Sequence, residues 1–193
     1  MKNKMLPFAA ISLSFIRVDV LWGQGANRIR LVFDQAHGER PPPGQFADIV
    51  KKLGLKIHAS AEPITPNVLE GARILGLRGP STEFTATETD AIVAFVKGGG
   101  SLLLVLDEER RQSLEKTGVN NVMSPFGMRL TPDTEYLHDN GGVAKAGEIN
   151  KADREVPFSG GRAVEGGKAF VFQLDKAGKP SLPFGACSSR GCR

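Results

Sequence analysis

A mainly parallel α/β sheet flanked by helices, with an irregular β-rich final third, is the fold class this sequence predicts. Three observations carry it. Apolar strand patterns alternate with helical ones from residue 28 to residue 106, as strand–crossover–strand units do. The loops between them are short. Residues 101–106 read Ser-Leu-Leu-Leu-Val-Leu, apolar enough for a central strand buried on both faces.

The elements follow in order. Residues 28–34, rich in Ile, Leu, Val and Phe, are the first strand. Pro41-Pro42-Pro43-Gly44 is a stiff loop, because consecutive prolines favour an extended backbone. Phe46, Ile49, Val50 and Leu53 recur at helical spacing over 45–53, and Gly54 stands where a C-cap belongs. Residues 55–59 alternate as a second, half-buried strand. Thr65-Pro66 supplies an N-cap hydroxyl and a proline at the first helical position, opening a short helix that ends near Gly71. Residues 72–77 are the third strand, and Gly79-Pro80-Ser81 turns the chain. Thr85 and Glu88 have capping-box spacing before a helix carrying Ile92, Val93, Phe95 and Val96. Gly98-Gly99-Gly100 stops it ahead of the fourth strand. A charged helix is expected over 108–116 and a short helix around 120–126. Strand candidates at 142–146, 162–164 and 169–174 complete the pattern.

Forty per cent hydrophobic and 24% charged residues describe an ordinary globular protein. The formal charge of +4 is concentrated at the ends of the chain. No basic stripe interleaves with aromatics, and one Tyr and one Trp give little to stack on bases, so nucleic acid is excluded as a partner.

Residues 1–26 read as a signal peptide. Lys2 and Lys4 precede an apolar stretch from Met5 to Ile16, and Gly23-Gln24-Gly25-Ala26 offers small residues for cleavage. The stretch is shorter than the roughly 20 residues a membrane span needs. The expectation is an exported protein, periplasmic or extracellular, with no stable membrane span in the mature chain. Residues 27–175 then form the α/β domain. Residues 176–193 are expected to be a tail lacking a closing strand, with Cys187 and Cys192 in a Gly/Ser/Arg context. Two cysteines do not make a zinc site.

Phe33-Asp34-Gln35-Ala36-His37-Gly38-Glu39 ends the first strand, and Gly98-Gly99-Gly100-Ser101-Leu102-Leu103-Leu104 enters the fourth. On these segments the chain resembles the class I glutamine amidotransferase-like superfamily over about residues 28–175. Its closest likeness is to the non-amidotransferase branch, which holds uncharacterised bacterial exported domains and the amino-terminal domain of an intraflagellar transport subunit. The resemblance implies a flavodoxin-like, class I glutamine amidotransferase-like arrangement. An active amidotransferase of this group carries a Cys on a sharp strand-to-helix turn. Here that turn reads Leu106-Asp107-Glu108-Glu109, so glutaminase activity is disfavoured.

Ligands of open parallel sheets bind beyond the carboxyl ends of the strands. Those ends carry Asp34, His37 and Glu39 after the first strand, Glu83 after the third and Asp107 after the fourth. Together they make the candidate ligand-binding set, with Asp34, His37 and Glu39 as candidate catalytic residues. Oxygen-rich ligands with one imidazole leave room for a divalent cation, although the sequence assigns no cofactor. The leading expectation is therefore an exported bacterial binding module for a small polar ligand or a protein partner. The alternatives are a hydrolase using the Asp/His/Glu cluster, metal-assisted or not, and a structural assembly module. Against all three stand simpler roles: Asp34 as a turn residue, Glu88 as a helix cap, Glu39 as a solvated charge.

Overall fold

The computed structural model describes residues 30–109, 111–132, 141–157 and 161–188. The proposed signal peptide lies outside them, as does His138. The chain divides into two compact units: residues 30–106 with 112–125 in one, and 107–111 with 126–188 in the other.

The first unit is built on a four-stranded parallel sheet. Its strands are β1 (Arg30–Asp34), β2 (Lys56–Ser60), β3 (Ala72–Arg78) and β4 (Ser101–Val105), in the order β2-β1-β3-β4. Three helices are woven between them: α1 (Gly44–Lys52), α2 (Pro66–Leu69) and α3 (Ala86–Lys97). All seven elements coincide with sequence expectations to within a few residues, because each has a hydrophobic period closed by a cap, a glycine or a proline. Thr65 Oγ1 accepts from Val68 N at the start of α2. Thr85 and Glu88 close a complete capping box on α3.

One expectation about position is corrected. The Leu-rich strand β4 is an edge strand of this sheet, half-buried along its length, and β1 and β3 are the central pair. The apolar count alone cannot tell a central strand from an edge strand whose faces are covered. Core residues Val32, Ile64, Leu69, Leu75, Leu77, Phe84, Ile92 and Val122 form one cluster around the central strands. Each such side chain contributes about 1.5–3 kcal/mol when fully buried.

The helix expected over 108–116 does not form as such. Asp107 Oδ1 accepts from Glu108 N at 2.9 Å, and Asp107 and Glu108 both grip Arg111, at 3.1 and 3.2 Å. The first of these, a side chain bonded to its neighbour's backbone, competes with helical backbone pairing. Helix resumes as α4 (Leu114–Thr117), closed by Gly118 in the left-handed conformation, and continues as α5 (Val119–Met123) with a 3₁₀ turn at Ser124–Phe126. No helix of the described residues is long and apolar enough to cross a membrane.

The second unit is antiparallel. It contains β5 (Arg129–Leu130), β6 (Gly142–Ala144), β7 (Arg154–Val156), β8 (Val164–Glu165), β9 (Lys168–Leu174) and β10 (Pro180–Cys187). Four of these make a sheet in the order β10-β9-β6-β7, and β5 pairs with β8. The segment expected as a strandless tail thus holds β10, the longest strand of the unit. Its prolines and glycine hide the alternation, and its register with β9 slips between Pro180 and Ala186. Cys187 is buried and disulfide-bonded, packing with Ala144, Phe170 and Val171.

Candidate functional site

In the order β2-β1-β3-β4, the connections reverse direction between β1 and β3, and ligands of open α/β sheets sit at such a switch point. The chain fills this place with its own side chains. Asp34, the last residue of β1, accepts from Ala36 N through Oδ1 at 3.2 Å, a short Asx turn. Its Oδ2 faces His37 Nδ1 at 2.7 Å. The next residue, Gly38, adopts φ +74°, and a Cβ there would stand 2.2 Å from Ser81 Oγ. Glycine is required at this bend. The bend returns Glu39 beneath the loop, where its Oε2 accepts from His37 N at 3.0 Å.

Three further groups close the cluster from the β3–α3 side. Ser81 donates its backbone N–H and hydroxyl to the His37 carbonyl, at 2.8 and 3.2 Å. The Phe84 ring lies 4.2 Å from the imidazole centroid. Glu88 Oε1 stands 3.2 Å from His37 Nε2 and also accepts from Ile64 N at 3.0 Å. Its other oxygen takes the Thr85 N–H and hydroxyl. Glu88 therefore ties α3, the β2–α2 loop and the β1 loop together.

The cluster is closed to solvent: Asp34, His37 and Glu39 are 1%, 6% and 7% exposed. Burial alone would lower the His37 pKa, but the bond to Asp34 and the charges of Asp34, Glu88 and Glu39 outweigh it and hold the imidazole above its ordinary 6.5. Burial, with the Asp34 carboxyl alongside, pushes Glu39 up to about 8. Glu88 lies below the ordinary carboxylate range: burial opposes this, yet the Thr85 and Ile64 hydrogen bonds and His37 prevail. The surroundings thus favour the protonated form of an imidazole set between the Asp34 and Glu88 carboxyls, and the protonated form of Glu39 beside it.

Of the five sequence-predicted site residues, the structure brings together Asp34, His37 and Glu39. Glu83 is exposed in the loop before α3. Asp107 belongs to the second unit, where its carbonyl accepts from the buried Arg162 at 2.7 Å. Glu88 and Phe84 complete the cluster. The capping box marked Glu88 in the sequence, but nothing local shows that its carboxylate also reaches a histidine 51 positions earlier. A surface groove of about 520 Å³ opens elsewhere on this unit, lined by Arg30, His58, Ser60, Thr65 and Asn67 among others, and includes none of the predicted site residues.

Residues 31–143, more than half of the chain, match the family model of the IFT52 GIFT domain. The chain belongs to this family. Its relatives include the intraflagellar transport protein 52 homolog of Mus musculus, 26% identical over 147 residues, covering 69% of this chain and 33% of that protein. The Homo sapiens homolog is 25% identical over 130 residues, covering 63% and 29%. The chain thus spans about a third of the length of the curated relatives it matches. Among solved structures, the mmIFT52 N-terminal domain shares the fold with a TM-score of 0.60 and 19% identity, covering 74% of this chain and 72% of that one.

Membership of the GIFT family corrects three expectations. The likeness to an intraflagellar transport subunit holds. The exported bacterial module, whether a binder or a hydrolase at Asp34, His37 and Glu39, does not, because the relatives are intraflagellar transport proteins of mouse and human. The periplasmic or extracellular location and the glutamine amidotransferase-like label fall with it.

Proposed function

We propose that this GIFT domain is a structural assembly module of an intraflagellar transport machine, binding protein partners rather than processing a substrate. The family match over residues 31–143 carries the reading. Two features support it. The place where an open α/β sheet would seat a ligand is packed with the chain's own side chains, Phe84 and His37 among them. The turn after β4 reads Asp107-Glu108-Glu109 and offers no thiol or hydroxyl nucleophile. The four-strand order β2-β1-β3-β4 also supports the flavodoxin-like arrangement as the finer description of the first unit.

The reading implies residence with the transport machinery of a cilium or flagellum. The test replaces the matching segment of an intraflagellar transport protein 52 with this 193-residue chain, in cells lacking the endogenous protein. The expected result is restored cilia and co-purification of the tagged chimera with the transport complex. A stably expressed chimera that neither joins the complex nor restores cilia overturns the proposal.

A further inference from the structure

We propose that Asp34, His37 and Glu39 form a structural binding site for one divalent transition-metal ion, Zn²⁺ by its donor chemistry. One ligand atom from each residue lies within 4.8 Å of the others, and all three residues are more than nine-tenths buried. Two donors about 2.1 Å from one ion stand roughly 3.0–4.2 Å apart, so the 2.7 Å Asp34–His37 contact has to open by a few tenths of an ångström to admit it.

A second observation points to a ligand. Glu39 Oε1 is buried without a hydrogen-bond partner, although its sister oxygen is satisfied by His37 N. Ionised carboxylates only accept, so either a shared proton or a cation has to lie between Asp34 and Glu39. A buried unsatisfied oxygen costs about 1–3 kcal/mol, more when charged. A cation between the two carboxyls removes that cost and makes the site neutral: two negative ligands, one neutral imidazole and a 2+ ion.

The outer ring fits as well. Ligating histidines commonly donate their second ring N–H to a carboxylate, which fixes tautomer and orientation. His37 Nε2 faces Glu88 Oε1 at 3.2 Å in that role, leaving Nδ1 toward Asp34 and the ion. Mixed imidazole and carboxylate donors favour Zn²⁺ over Mg²⁺ or Ca²⁺, which prefer all-oxygen sets. Such a site would clamp the β1 loop whether or not the domain assembles as proposed above, so the two proposals fail separately.

The experiment strips the full oxidised chain with chelator, so that the disulfide-bonded Cys187 offers no thiol, and titrates Zn²⁺, Mg²⁺ and Ca²⁺ separately. Equilibrium dialysis with elemental analysis should give one tightly held Zn²⁺ and a raised melting temperature, with no comparable binding of Mg²⁺ or Ca²⁺. Zn²⁺ should displace the His37 ring ¹⁵N resonances of the wild-type protein. Glu39→Gln should weaken Zn²⁺ binding at least tenfold, and His58→Ala, outside the cluster, should not. The proposal is overturned by no stoichiometric Zn²⁺, by a Zn²⁺ that leaves the His37 resonances in place, or by undiminished binding in folded Glu39→Gln. If that variant does not fold, the wild-type dialysis and resonance shifts decide alone.

Discussion

Glu88 faces His37 across 3.2 Å while its second oxygen closes the capping box of its own helix. One carboxylate thus performs a local task and a long-range one. It starts α3, and it anchors a loop that left the sheet 51 residues earlier.

Removing it should therefore cost more than a cap. Glu88→Ala takes away the acceptor for Ile64 N, the Thr85 contacts and the His37 partner, all in a buried setting. A lost cap costs about 1 kcal/mol, and breaking a buried charged pair about 3–5. Urea denaturation should show a loss of about 3–4 kcal/mol for Glu88→Ala and about half that for Glu88→Gln, which keeps an acceptor. Equal, sub-kilocalorie losses would mean that the contact to His37 carries no weight.

The metal-free protein should lose stability as pH rises. The Glu39 pKa is raised on folding, from 4.5 to about 8, so its stabilising proton is fully in place below pH 4.5 and is lost progressively up to about 8. His37 acts in the same direction: its contribution is whole below 6.5 and disappears as pH passes its raised folded value. Glu88, lowered on folding, acts oppositely and only below about pH 4.5. Denaturation in chelator should thus give a maximum near pH 5 and a decline on the order of 3 kcal/mol by pH 9. Glu39→Gln should flatten most of that decline. A profile rising from pH 5 to 8 would contradict the assignment.

Gly38→Ala should be expensive for two separable reasons, the positive φ and the 2.2 Å approach to Ser81 Oγ. A loss of about 2–3 kcal/mol is expected. Adding Ser81→Gly should recover the steric part, roughly half, and leave the backbone part. Thermal melts of the two single variants and the double variant measure the split.

Apolar residues in α1 and at its C-cap should behave differently. Phe46 is 4% exposed and Leu53 is 58% exposed. Phe46→Ala should cost about 3–4 kcal/mol and Leu53→Lys less than about 0.5. Guanidinium denaturation of both variants tests it.

The parallel half of the molecule was legible because its signals are local. The Thr85–Glu88 box, the Thr65-Pro66 start and the glycines after each helix mark boundaries within a few residues of one another. The Asp34–His37–Glu39 cluster was legible for the same reason, being compressed into six positions. The antiparallel half was less so. The strand Pro180–Cys187 carries two prolines and a glycine, so pairing with Lys168–Leu174 defines it rather than propensity. Residues 107–111 show the opposite failure: a run with helical composition turns early, where the Asp107 side chain accepts from Glu108 N. The reach of Glu88 to His37 was invisible, because no local pattern encodes a contact made only by the folded sheet.

The parallel order β2-β1-β3-β4 has a kinetic corollary. No strand of this sheet pairs through a hairpin, and every ladder waits for a complete crossover. During synthesis His37 emerges with Asp34 but must stay wet until the first turn of α3 has been made. The latch closes late, so a ribosome stalled before residue 88 holds a chain whose polar knot is still untied.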